Sequence, residues 1–211
     1  MQCEPSRSIL SAALLLPALT LILRSLPPQI YLALLALGVK HGDKVITNGF
    51  TFTALPSTII HAGASPVLVE ANENFTMNVE DLKLKIAANP ECKVMILSHF
   101  RGKLSDCDAI RDICDEHGIL MVEDCAHGMG CTWNGEQAGK VGDIAVFSCQ
   151  SDKVVNAGEG GFLATNNAEW ASQCVYWSGA CESRQPRLPG LYSTLFQRNS
   201  LKALMRRRGT L

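Results

Sequence analysis

Short apolar runs of β-forming residues alternate along this chain with segments of helical periodicity, and few folds accommodate that alternation. Lys44–Thr47, Pro66–Glu70, Lys93–Leu97, Ile119–Glu123, Asp143–Ser148 and Gly161–Thr165 read as strands. Helices are expected over Ile30–Leu37, Thr53–Ala62, Val79–Ala88, Ser105–His117 and from Ala168 to about Ala180. Runs that are apolar throughout, such as Ile144–Phe147, suit strands buried on both faces. The breakers agree: Pro27 and Pro28 precede the first helix, Gly38 and Gly63 close the first two, and Asn78 is placed to cap the third. Leu104, Ile110, Ile113 and Cys114 mark the inward face of the fourth. Strands alternating with helices imply an α/β fold, a three-layer α/β/α sandwich around a mostly parallel central sheet. A hydrophobic share of 47% supplies the core.

The two ends depart from this pattern. Ile9–Leu23 is apolar, interrupted by Ser11, Pro17 and Thr20, and flanked by Arg7 and Arg24. It is short for a membrane span and matches the core of a signal peptide in length, but Glu4 weakens the positive flank and no small-residue cleavage site follows. A signal or anchor segment, a buried helix and a poorly specified appendage all remain open. Past Glu182 the periodicity fades into a segment with Pro186, Pro189, Gly190 and basic residues. The expected organisation is a divergent segment over residues 1–28, a folded domain over 29–182 and an irregular basic tail over 183–211.

A net charge of -1 gives no reason to expect nucleic acid, and Arg206-Arg207-Arg208 reads as a solvated tail. Nine cysteines without a Cys-x-x-Cys pair read as free thiols in a reducing compartment, and no metal is expected. A cytoplasmic location follows, the alternative being a signal or anchor at Ile9–Leu23.

The chemistry concentrates in Asp143–Gly161. A buried strand there passes into a polar turn carrying Ser148, Gln150, Ser151, Asp152 and Lys153, then into a glycine cluster. Loops after strand ends are where ligands bind in open α/β sheets. A lysine in a partly desolvated site is a competent amine for Schiff-base chemistry. Asp124 ends another buried strand, where an isolated carboxylate would be costly. Together they suit a cofactor with an aldehyde at one end and a protonatable ring nitrogen at the other, which describes pyridoxal 5'-phosphate. A plain Asp124–Lys153 ion pair at the sheet edge is the alternative.

Six stretches in order carry a resemblance: Gly38–Ile46, Phe50–Ala54, Gly63–Val67, Glu123–His127, Gly142–Ser148, and Lys153 with Gly158–Gly161. From about Leu32 to Glu182 the chain resembles the large domain of the DegT/StrS family of pyridoxal-phosphate-dependent sugar aminotransferases, of fold-type I. The resemblance implies that Lys153 is the internal-aldimine lysine and later shuttles a proton between substrate and cofactor carbons. It implies that Asp124 is the partner of the ring nitrogen and that His127 lies near the ring hydroxyl. Ser148 would bind the phosphate, and Phe52 would stack on the ring, where a core phenylalanine is the competing reading. Gly158, Gly160 and Gly161 would let the backbone turn tightly beside the cofactor, and Glu159 has no role.

Two departures stand out. Family members open the helix before Leu32–Gly38 with Ser-Gly-Thr, whose N–H groups and hydroxyl hold the phosphate. Here Ser25-Leu26-Pro27 stands in that place, and proline has no N–H. Family members also continue into a smaller C-terminal domain, and the resemblance here is expected to cover the large domain alone. The implied function is transfer of an amino group from an amino acid to a keto-sugar nucleotide through a Lys153 aldimine, by a homodimer. A truncated or degenerate homologue acting as a binding module is the alternative.

Overall fold

A computed structural model describes residues 19–23 and 26–179. In chain order the elements are β1 (Leu19–Leu23), α1 (Leu26–Ala36), β2 (Lys44–Asn48), α2 (Ala54–His61), β3 (Ser65–Val69), α3 (Val79–Ala88) and β4 (Val94–Ser98). There follow α4 (Cys107–His117), β5 (Leu120–Asp124), a small hairpin of β6 (Thr132–Trp133) and β7 (Glu136–Gln137), then β8 (Ile144–Ser148), β9 (Gly161–Thr165) and α5 (Ala168–Trp177). The expected tail over 183–211 lies outside the described residues, as do residues 9–18 of the apolar segment.

Seven strands form one sheet in the order β1-β9-β8-β5-β4-β2-β3. β3, β2, β4, β5 and β8 run parallel, while β9 pairs antiparallel with both β8 and β1. Successive residues of the central strands enter opposite layers, as a pleated strand requires. On β4, Val94 and Ile96 join the core with Ile30, Leu34 and Ile59 from α1 and α2, and Cys174 from α5. Met95 and Leu97 join the other layer, with Leu82 and Ile86 of α3 and Ile110 and Cys114 of α4. The molecule is therefore the α/β/α sandwich with a mostly parallel sheet that the alternation implied.

Local chemistry sets the boundaries. Asn78 caps α3 as expected, its side chain accepting from the N–H groups of Glu80 and Asp81. α4 starts later than its periodicity suggested, because Asp106 caps it by accepting from Ala109 N, while Ser105 Oγ accepts from Met77 N. Asn134 and Gly135, with φ of 48° and 85°, make the tight turn between β6 and β7. Pro66 sits in β3, an edge strand, where its missing N–H interrupts no inner ladder.

The largest difference from the sequence reading is β1. Part of the apolar stretch read as a signal, a buried helix or an appendage is a strand, in register with β9 from Leu19↔Thr165 to Leu23↔Gly161. Leu-Thr-Leu-Ile-Leu has good strand formers, and pairing covers an edge that β9 would otherwise leave open. α1 then begins at Leu26, with Pro27 and Pro28 in its first turn, where a missing N–H is tolerated. Among the described residues no helix is long and apolar enough to cross a membrane.

Among the described buried polar side chains, Gln29 is the one with both polar atoms of its side chain unmatched. Gln29 on α1 is fully buried, and neither its Oε1 nor its Nε2 has a hydrogen-bond partner among the described residues. The amide rests over Gly161, where any β-carbon would collide with the Phe147 carbonyl oxygen and with Gln29 itself. Gln29→Met keeps a similar unbranched shape and removes two unsatisfied polar atoms, each costing about 1–3 kcal/mol. The expected outcome is a melting temperature higher by roughly 4 °C or more in calorimetry; a lower one would show that the amide has a partner after all.

Candidate active site at the strand ends

β2, β4, β5 and β8 all end at the same edge of the sheet, and each ends on a buried polar residue: Asn48, Ser98, Asp124 and Ser148. Elsewhere these strands are mostly apolar, so polar groups collect where the C-terminal ends of parallel strands open toward a ligand. The β2–β4 ladder stops at Thr47↔Ile96, and the Asn48 side chain extends it. Its Oδ1 accepts from Ser98 N at 2.8 Å and its Nδ2 donates to Ser98 O at 3.3 Å. The amide thus replaces a backbone pair and holds the end of β4 in place.

Asp124 is Ser98's register partner across the β4–β5 ladder. Its Oδ2 accepts from Ser98 Oγ at 2.9 Å and its Oδ1 from Ala126 N at 3.1 Å. Burial pushes this carboxyl above its ordinary value, and the two donors, with His99 and His127 nearby, pull it partly back. Thr51 Oγ1 donates to Ser98 Oγ at 2.9 Å, which extends the chain of hydroxyls to the loop after β2.

Lys153 is not paired with Asp124. Its Nζ lies 2.9 Å from His127 Nε2 and 3.6 Å from Asp152 Oδ1, with its side chain only 11% exposed. The simple Asp124–Lys153 ion pair is therefore not what this sequence builds. Burial, and then the charge of Lys153, push the His127 imidazole below its ordinary value. A lysine ammonium can only donate, so neutral His127 accepts at Nε2. The ring of Phe100 meets that of His127 edge-on, with centroids 5.3 Å apart, and Phe50 and Phe75 continue the aromatic chain outward.

Ser148 is buried at the end of β8, where its Oγ accepts from Gln150 N at 3.4 Å. Its O–H remains able to donate to a ligand. Gly158 and Gly160 take φ of 84° and 118°, so the loop returning to β9 uses conformations open to glycine. Phe52 is 55% exposed, which removes the reading of it as a core residue. The ring contacts of the site run instead through Phe100 and Phe50.

Beneath Asp124 lies a pair that sequence reasoning passed over. Glu123 is fully buried, with His99 Nε2 at 2.9 Å from its Oε1. Gly139 N also donates to Oε1, and Val141 N and Gly142 N donate to Oε2. Gly142 has to be glycine, since a β-carbon would lie 2.9 Å from Glu123 Cβ. The ligand-capable atoms of His99, Glu123 and Cys125 lie within 4.8 Å of one another. With four donors already on the carboxylate, that cluster is a structural clamp rather than a metal cage. Ser98, Thr51, Asn48 and Phe100 were missed as well. Each is an isolated residue in the sequence, and only the order of β2, β4 and β5 brings them to Asp124.

Six of the described cysteines, Cys92, Cys107, Cys114, Cys125, Cys149 and Cys174, are free thiols, whereas Cys131 is disulfide-bonded, which corrects the expectation that all nine are free. Burial pushes Cys107, Cys114 and Cys174 up to about 12, so they behave as small apolar residues rather than nucleophiles.

Comparison with known proteins agrees with this geometry. Residues 28–187 match the model of the DegT/DnrJ/EryC1/StrS aminotransferase family. GDP-perosamine synthase from Vibrio cholerae is 39% identical over 147 residues, covering 69% of this chain and 40% of the relative. Spore coat polysaccharide biosynthesis protein SpsC from Bacillus subtilis (strain 168) is 40% identical over 144 residues, covering 68% and 37%. The chain thus spans about 40% of the length of the curated relatives it matches. Among solved structures, NtdA from Bacillus subtilis with the cofactor PMP bound aligns with a TM-score of 0.69 and 30% identity, over 75% of this chain and 36% of that one. The aminotransferase from Psychrobacter cryohalolentis aligns at 0.68 and 30%, over 74% and 39%. On the matched stretch, the sheet order and the strand-end site, this chain belongs to the DegT/DnrJ/EryC1/StrS aminotransferase family.

Proposed function

We propose that residues 29–182, with β1 added at the sheet edge, are the large domain of a pyridoxal-phosphate-dependent aminotransferase with Lys153 as its reactive amine. The observation that carries this reading is the Lys153–His127 contact beside buried Asp124, at the C-terminal ends of the parallel strands. The donor set fits pyridoxal phosphate at its ring: a primary amine for the aldehyde, a neutral imidazole for the ring hydroxyl and a carboxylate for the ring nitrogen. Ser148 offers a hydroxyl to the phosphate. When bound, the cofactor supplies an electron sink for the substrate carbon that bears the amino group.

The chain's own residues would then divide the work. Asp124 would hold the proton on the ring nitrogen. Lys153 Nζ would hold the cofactor at its aldehyde end and would carry the proton at the substrate carbon. His127, restrained by Phe100, would keep the resting amine in place, and Phe52 would offer its ring to the cofactor. The non-catalytic reading finds less support, because relatives such as GDP-perosamine synthase and L-glutamine:2-deoxy-scyllo-inosose aminotransferase are named as enzymes.

For substrates we propose an amino acid donor and a keto-sugar nucleotide acceptor. A GDP-perosamine synthase stands among the relatives, and DesI, 29% identical in sequence with a TM-score of 0.67, was solved with its TDP-sugar product. A homodimer is part of the proposal, with exposed Phe50, Phe52 and Phe75 as apolar surface for a second copy to cover. To test the reading, purified protein is titrated with pyridoxal phosphate and followed by absorbance. A visible band should grow, and glutamate or glutamine should discharge it; no band at millimolar cofactor would reject the assignment.

The phosphate end is the weak part of the fit. Pro27 and Pro28 offer no N–H in the first turn of α1. Leu26→Gly with Pro27→Thr restores a backbone donor and a hydroxyl, each worth about 1.5–3 kcal/mol to a charged group. The double variant should lower the cofactor Kd by about tenfold or more in the same titration.

A further inference from the structure

We propose that Thr51 and Ser98 form a two-hydroxyl relay that positions Asp124 and holds its carboxylate in the charged form. Its catalytic meaning rests on the reading of Asp124 as the partner of the cofactor's ring nitrogen. The relay itself rests on geometry. Ser98 has one hydroxyl proton, and it points to Asp124 Oδ2 at 2.9 Å. The Ser98 oxygen is thereby left to accept, and Thr51 Oγ1 donates to it at 2.9 Å. Both protons run toward the carboxylate, an order that suits an acceptor-only group. Ser98 is only 3% exposed and cannot drift from this position, because Asn48 holds its N–H and its carbonyl together.

The other donor on Asp124 is Ala126 N, and the titratable groups around it are His127, His99 and the Cys125 thiol, with Lys153 behind His127. Glu123 next to it in the chain spends its carboxylate on Gly139, Val141, Gly142 and His99. Against burial, which favours a protonated Asp124, the Ser98 hydroxyl is the side chain that directly opposes protonation. Thr51 lies between Phe50 and Phe52, so the relay also ties the carboxylate to the loop that carries the proposed ring-face aromatic.

The test uses the cofactor-free protein with carbon-13 in the aspartate carboxyls, the Asp124 signal being assigned by Asp124→Asn. Ser98→Ala should raise the Asp124 titration midpoint by about one pH unit. Thr51→Val should raise it by less, and Ser98→Thr should restore the wild-type value. With pyridoxal phosphate added, the visible band of Ser98→Ala should show a displaced pH midpoint that Ser98→Thr corrects. An unchanged Asp124 midpoint in Ser98→Ala overturns the relay, and Thr51→Val decides the matter if Ser98→Ala does not fold. A wild-type protein that forms no visible band would reject the cofactor reading, yet the titration without cofactor would still decide the relay.

Discussion

Alanine at Lys153 is expected to reduce amino-group transfer to background and to abolish the visible band formed with pyridoxal phosphate. In the proposed mechanism the residue would join the chain to the cofactor, and its general acid–base contribution alone would be worth about 10²- to 10⁴-fold. Lys153→Arg should fare no better, because a guanidinium stays protonated and cannot act as the amine. Stability should hardly change. The lost contacts are one hydrogen bond to neutral His127 and a 3.6 Å approach to exposed Asp152, and such losses usually fall within about 0.5–1.5 kcal/mol. Single-turnover absorbance together with a thermal melt separates the two effects. A variant that melts like wild type and still transfers amino groups would remove Lys153 from the chemistry.

Alanine at Glu123 should do the reverse and damage the fold first. Its carboxylate joins β5 to the loop Gly139–Gly142 through three backbone N–H groups and to His99 through a buried pair. Breaking a buried pair by removing one partner costs about 3–5 kcal/mol, and the orphaned N–H groups add to it. A fall in melting temperature of roughly 10 °C or more is expected. The clamp also carries a pH signature. Burial alone would raise the Glu123 carboxyl, but the hydrogen bond and charge of His99, with the N–H groups of Gly139 and Gly142, hold it below its ordinary 4.5. A lowered carboxyl contributes stability that is present above the unfolded value and lost as pH falls through the folded one. Wild-type urea midpoints should therefore drop on acidification below about pH 4.5, with part of that slope missing in Glu123→Gln. Equal melts of Glu123→Ala and wild type would contradict the clamp.

Much of the central sheet was legible because its signals are local. Val79–Ala88 carries its own cap in Asn78, and Ile144–Phe147 is too uniformly apolar for a solvated face. β1 was not legible, because a leucine-rich run has no alternation of its own and its partner β9 lies at the other end of the domain. The same distinction divides the site. Lys153 and Asp124 stand out as charged residues at the ends of buried runs. Asn48, Thr51, Ser98 and Phe100 acquire meaning only when β2, β4 and β5 lie side by side. Glu123 was overshadowed by its neighbour, since the donors that define it come from a glycine-containing loop far along the chain.

The central claim is that Lys153 is the amine that takes the cofactor. Borohydride reduction of the wild-type protein mixed with pyridoxal phosphate, followed by peptide mass mapping, tests it most directly. The expected result is one stoichiometric pyridoxyl label on the peptide containing Lys153, lost in Lys153→Ala. Label spread over surface lysines, or absent from Lys153, would contradict it.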